Sequence, residues 1–210
     1  MSTRRKRSSS RRWLDEHFQD EYVKRAQREG FRSRAVYKLD EINRKYGLIK
    51  PGSIVVDLGA APGSWSQYCV SRVRPDGQVV ALDRLAMQPL SGVTRLQGDF
   101  REQAMLDELL AVLAGHPVDL VLSDMAPNTS GIKAVDQPQA MDLAELAVDF
   151  AQRCLRPGGD VLVKVFQGEG FDKLLKTLRA DFGKVCVCKP SASRARSPEL
   201  YLLARNYAHR

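Results

Sequence analysis

The sequence predicts an α/β fold: a doubly wound, mostly parallel, seven-stranded sheet closed at one edge by an antiparallel hairpin. Three observations predict it. Apolar runs of strand length recur along the chain at 54–58, 79–82, 93–97, 118–123, 160–166, 184–189 and 200–204. Helical stretches separate several of the first five, and that alternation calls for parallel strands with helices on both faces. The last two runs are joined by a Ser/Arg/Pro loop too short for a crossover helix, so they pair antiparallel.

Each element has its own signal. Residues 1–12 (MSTRRKRSSSRR) are Arg/Ser-rich with almost nothing apolar, so they read as a disordered basic arm. Residues 13–32 mix Trp13, Phe18, Tyr22 and Phe31 with Lys and Arg. That mixture serves either base stacking with phosphate pairing or a short helix packed on the core. The expected organisation is a basic, partly disordered RNA-binding arm over 1–30 and one domain over 31–210. From Ser33, Val36, Leu39, Ile42 and Tyr46 recur at helical steps, with Gly47 placed to end the helix. A second helix is expected from about Asp136 to Leu155. Leu143, Leu146, Ala147, Phe150 and Cys154 form its buried face, and Pro157-Gly158-Gly159 its stop.

Composition narrows the class. The 210 residues carry a net charge of +8. Residues 1–50 hold fifteen Lys and Arg against seven Asp and Glu, whereas the rest of the chain is balanced. All the excess charge therefore lies in the first quarter, which suits a polyanionic partner. No apolar run is long enough for a membrane span, and no apolar stretch follows the basic N-terminus as in a secretory signal, so a cytoplasmic protein is expected. Cys69, Cys154, Cys186 and Cys188 lack CxxC spacing, and the three histidines are scattered. Reduced thiols and no metal site are expected.

The first strand runs into Asp57-Leu58-Gly59-Ala60-Ala61-Pro62-Gly63, a small-residue turn before a helix. Ligands of open α/β sheets bind at such strand ends. Ala61 stands where a dinucleotide fingerprint has its second glycine, which argues against a pyrophosphate cofactor. Asp57, Asp83, Asp99 and Asp124 each lie at or just beyond the end of one of the first four strands. A cofactor with a ribose diol, an amine and a sulfonium would find acidic partners along that edge. Asp83, 24 residues beyond Gly59, stands near the spacing expected of a ribose-binding acid. Lys164 interrupts the apolar run Val-Leu-Val-Lys-Val-Phe, where an unpaired lysine is out of place.

DLGAAPGSWSQ, LVLSDMAPNTSG, VLVKVF and SRARSPELYLLA, preceded by SRAVYKLDEI, resemble the FtsJ family of RNA 2′-O-methyltransferases over residues from about 30 to the end. Ser64 departs from the family's usual second glycine after Pro-Gly. The resemblance implies a Rossmann-like class I methyltransferase fold, S-adenosylmethionine as donor, and a Lys-Asp-Lys-Glu tetrad at Lys38, Asp124, Lys164 and Glu199. It implies a cofactor site drawn from Asp57, Gly59, Pro62, Gly63, Trp65, Asp83, Asp99 and Asp124, with Asp99 serving the adenine amine. It further implies a uridine of the 23S rRNA A-loop as target, within the large (50S) ribosomal subunit. A monomer is the default expectation, and composition and spacing lead to no metal and no membrane contact. A tRNA-modifying relative, a non-catalytic RNA-binding assembly factor and a nucleotide-dependent oxidoreductase are the alternatives.

The chemistry asks for these residue types. A sulfonium methyl is already activated, so the protein must orient a hydroxyl and deal with its proton. Free lysine titrates near pH 10.4. Burial and Lys38 would lower the value for Lys164, and Asp124 and Glu199 would raise it. Lys164 is thus either a general base or a cation that aims the hydroxyl's lone pair. Ribose is favoured over base because Ser123-Asp124-Met125-Ala126-Pro127-Asn128 offers no aromatic to stack a flipped base, and no cysteine follows a proline.

Overall fold

A computed structural model describes residues 20–127, 131–194 and 197–208. The Arg/Ser-rich arm, Trp13 and Phe18 lie outside the described residues. Helix α1 (Glu21–Arg28) is capped by Asp20, whose side chain accepts from the Tyr22 amide at 3.0 Å. It buries Val23 and Ala26 against the domain. Helix α2 (Val36–Tyr46) follows and ends at Gly47, which sits in the left-handed region at φ 62°. Five parallel strands come next: β1 (Ile54–Leu58), β2 (Gln78–Asp83), β3 (Val93–Gln97), β4 (Val118–Ser123) and β5 (Leu155–Phe166). Between them run α3 (Ser64–Val73), α4 (Gln103–Leu113) and α5 (Lys133–Cys154). Helix α6 (Phe171–Asp181) then leads into the hairpin strands β6 (Phe182–Cys188) and β7 (Glu199–Tyr207).

The sheet order is β3-β2-β1-β4-β5-β7-β6, with β7 antiparallel to both its neighbours. This is the seven-stranded, mostly parallel sheet with a terminal hairpin that the apolar runs predict. Strands covered on both faces read as continuous apolar runs, and Val55, Val56, Leu120, Val121, Leu122, Val161, Leu162 and Val163 are all fully buried. One core layer joins α4, α5 and α6 to the sheet through Leu109, Ala147, Phe150 and Leu178. The other joins α1, α2 and α3 through Ala26, Leu39, Trp65 and Tyr68.

The structure corrects the reading of α5. Leu146 is exposed and Leu143 only half-buried, whereas Met141, Ala144, Val148 and Ala151 turn inward with Ala147 and Phe150. Three alanines on this face let α5 lie close against β4 and β5, with Met141, Val148 and Phe150 filling the space around them. Pro157-Gly158-Gly159 does not stop the helix. The chain passes from Cys154 straight into β5, and the Pro-Gly-Gly forms a bulge: Leu155 pairs with Val118, and Asp160 pairs with Leu120. All four thiols are unpaired. No described helix is long and apolar enough to cross a membrane.

Candidate active site

Strand order reverses between β1 and β4, and a cleft of about 440 Å³ opens at the carboxyl ends there. Gly59, Asp83, Asp99 and Asp124 line it, with Met125 and Phe100 as apolar wall. Gly59 has φ 76°, and a Cβ there would fall 2.8 Å from the Met125 backbone, so only glycine lets β1 and β4 close at this point. The turn then bends back over β2. Gly59 and Ala60 amides donate to the Leu82 carbonyl at 2.9 and 3.2 Å, and the Ala61 amide donates to Asp83 Oδ2 at 2.9 Å. Asp83 Oδ1 accepts from the Leu85 amide at 2.8 Å. Its carboxylate is thereby fixed at the cleft wall.

Asp99 is held differently. Arg101 grips it with a backbone amide and its guanidinium, at 2.5 Å for the shortest contact, which lowers its pKa to about 2. Asp57 is fully buried beneath the turn. Ser66 Oγ donates to its Oδ2 at 2.6 Å while Oδ1 has no partner among the described residues. Burial pushes its pKa up to about 7. Asp57, Pro62, Gly63 and Trp65 are not among the cleft-lining residues. Trp65 instead donates to the Ala35 carbonyl at 2.8 Å and packs against Tyr201 at 5.8 Å between ring centres.

Beside the cleft the structure brings Lys38, Asp124, Lys164 and Glu199 together from four elements. Lys38 Nζ, from α2, lies 2.7 Å from Glu199 Oε1, and both side chains are largely buried. Lys164 Nζ, from β5, lies 3.1 Å from Asp124 Oδ1 and donates to the Asp124 carbonyl at 2.5 Å. Tyr201 joins the two pairs. It faces Lys164 across the β5–β7 ladder, and Glu199 lies two residues before it on the same side of the strand. Its hydroxyl lies 2.7 Å from Asp124 Oδ1 as donor and 3.5 Å from Glu199 Oε1. Ser193 Oγ adds a donor to Glu199 at 2.9 Å.

Electrostatics follow from this packing. Burial alone would raise the pKa of Asp124, but the Lys164 and Lys38 cations and the Tyr201 hydroxyl outweigh it and hold it below the usual carboxylate range. Burial, with two carboxylates beside it, pushes the Tyr201 hydroxyl well above its ordinary value, so it remains a donor. Sequence reasoning missed Tyr201 and Ser193. The only signal for Tyr201 was its alternation with Glu199 in an apolar strand.

A parallel sheet with one antiparallel strand inserted beside β5, and an acid-rimmed cleft at its switch point, defines a Rossmann-like methyltransferase. The FtsJ-like methyltransferase family model matches residues 31–207, and the chain belongs to that family. It is similar to ribosomal RNA large subunit methyltransferase E of Legionella pneumophila (strain Paris), at 59% identity over 95% of this chain and 97% of the relative. The protein of the same name from Alkalilimnicola ehrlichii is 58% identical over 99% of both chains. A crystal structure of a Plasmodium falciparum protein assigned as a ribosomal RNA methyltransferase superposes with a TM-score of 0.76. It shares 31% identity and covers 86% of this chain and 100% of that one. The protein is therefore a methyltransferase.

Proposed function

We propose that this enzyme transfers a methyl group from S-adenosylmethionine to the ribose 2′-hydroxyl of a uridine in the A-loop of 23S rRNA, working on the large ribosomal subunit. The observation that carries this reading is the convergence of the Lys38–Glu199 and Lys164–Asp124 pairs beside the acid-rimmed cleft. The names of the relatives support an rRNA substrate. All four side chains come from a single chain, so one copy carries the complete tetrad.

The cleft fits the proposed donor. Its volume is in the range of small-molecule sites. Asp83 is anchored by two backbone amides, and each oxygen keeps a second lone pair for a ribose diol. Asp99 stays ionised to receive an adenine amine. Asp124 stays ionised where a cationic group would approach. S-adenosylmethionine, when bound, supplies a sulfonium-activated methyl group.

The remaining work falls to this chain's residues. Lys164 uses two bonds to reach Asp124, and its amine keeps a third position for the ribose hydroxyl. Asp124 sets the direction of that amine, and Tyr201 sets the direction of Asp124. The Lys38–Glu199 pair supplies a second cation and acceptor for the hydroxyl and its proton. Orientation of this kind is a large part of what such a reaction needs.

The test is to methylate large subunits from cells lacking the enzyme, digest the RNA to nucleosides and identify the product by mass spectrometry. The expected product is 2′-O-methyluridine, and RNA carrying deoxyribose at the target should bind yet remain unmethylated. A methyl group on the base would falsify the reading.

A further inference from the structure

Arg32 sits in the short segment between α1 and α2, within the basic first quarter of the chain. Its charge alone would assign it to RNA phosphates. Its contacts say otherwise. One terminal nitrogen donates to the Pro62 carbonyl at 3.0 Å and the Gln88 carbonyl at 2.9 Å; the other donates to Pro89 at 2.7 Å. Pro62 belongs to the turn after β1, and Gln88 and Pro89 to the loop after β2. Those two segments also supply Ala61, Asp83 and Leu85 to the cleft wall.

The packing leaves no slack. A Cβ on Gly63, at φ 105°, would come within 2.8 Å of the guanidinium and 2.6 Å of Met87 Sδ. Neighbouring contacts hold Arg32 in place. Its own amide donates to Gln67 Oε1 at 3.2 Å, and Gln67 Nε2 donates to the Gly30 carbonyl at 2.8 Å. Ser33 Oγ lies 2.8 Å from Ser64 Oγ as donor, which gives the hydroxyl at position 64 a use that glycine could not serve. Among the described residues no carboxylate pairs with Arg32. A planar fork reaching three carbonyls on two segments is a geometry that lysine's single nitrogen does not reproduce.

We propose that Arg32 is a positioning residue for the donor cleft, clamping the turn after β1 to the loop after β2. The Ala61–Asp83 hydrogen bond fixes the turn from the cleft side, and Arg32 fixes it from behind. The donor then meets a wall already in place, so ordering takes little from its affinity. This inference rests on the S-adenosylmethionine reading.

The test compares Arg32→Ala and Arg32→Lys with the wild type, full-length. In both variants the S-adenosylmethionine Kd from calorimetry and the KM should rise ~10-fold or more, the scale of removing charge-assisted hydrogen bonds. At saturating donor, kcat should stay within about threefold, because saturation restores the wall. RNA affinity and its dependence on salt should not change. Amide hydrogen exchange without any ligand should quicken together in 61–64 and 86–90. Unchanged exchange in those segments, or unchanged donor affinity, overturns the clamp. So does a salt slope flattened by about 0.7–0.9 units, the mark of an arginine that had neutralised a phosphate. If Arg32→Ala does not fold, Arg32→Lys carries the same comparisons. If the wild type binds no S-adenosylmethionine, the donor reading fails, and the exchange result still decides whether Arg32 clamps.

Discussion

Lys164 reaches Asp124 at two points, with its amine 3.1 Å from the carboxylate and donating to the carbonyl of the same residue at 2.5 Å. That double contact fixes a lysine inside the apolar run 161–166, beside the cleft. Lys164→Ala should therefore lower methyl transfer by roughly 10²–10⁴-fold, the usual contribution of a positioned proton-handling group. Donor binding should persist, since the Asp83 end of the cleft is untouched. Single-turnover rates and donor titration on the same variant check both halves. Near-normal turnover would remove Lys164 from the mechanism.

Asp83 holds two backbone amides and faces the cleft. Asp83→Asn keeps the shape but turns one acceptor into a donor opposite an amide N–H. Donor affinity should fall by on the order of 1.5–3 kcal/mol, the scale of hydrogen bonds to charged groups. RNA affinity should hold. Superimposable calorimetric titrations for the variant and the wild type would sink the ribose assignment.

The pattern of what the sequence disclosed has physical causes. The strands were legible because both faces of β1, β4 and β5 are covered, which demands unbroken apolar runs. Lys164 was legible for the same reason, as a charge where burial forbids one. The buried face of α5 was legible only in part: Ala147 and Phe150 turn inward as read, but Ala144 and Ala151 were missed, because alanine carries little hydrophobic signal. Tyr201 and Arg32 stayed hidden for another reason. Each acts on residues far away in sequence, Asp124 for one and Pro62 and Gln88 for the other, and single-chain spacing says nothing about such pairings.

Asp57 offers a pH test. Burial raises its pKa from an ordinary 3.8 to about 7. The folded state thus keeps a proton that the unfolded chain has released between those values. The stability this gives is fully present below the unfolded pKa and disappears as pH rises through about 7. Asp57→Asn is neutral throughout and keeps an amide or oxygen for Ser66. Relative to this variant, the wild type should lose on the order of 2–3 kcal/mol between pH 5 and pH 8. Urea unfolding at both pH values measures it. A difference between the two proteins that does not change with pH would mean that Asp57 keeps its ordinary value.

The N-terminal segment invites a truncation with two cut points. Residues 20–30 are built into the domain: Val23 and Ala26 are buried, Gly30 is tied to Gln67, and Arg34 pairs with Asp20. The Arg/Ser-rich arm before them carries six Lys and Arg within its first twelve residues. Removing 1–12 should therefore weaken RNA binding while leaving donor affinity, set by the cleft residues, unchanged. For every phosphate that the arm had neutralised, the plot of log K against log salt should flatten by about 0.7–0.9 units. Removing 1–30 should do more, because it strips apolar surface from α2 and frees Gln67 beside the cofactor turn. That variant should melt at a lower temperature and bind the donor less well. An unchanged salt slope after the shorter cut would show that the arm does not touch RNA. Binding would then rest on the face of the domain around Lys38, where the positive charge of α2 meets the reacting centre.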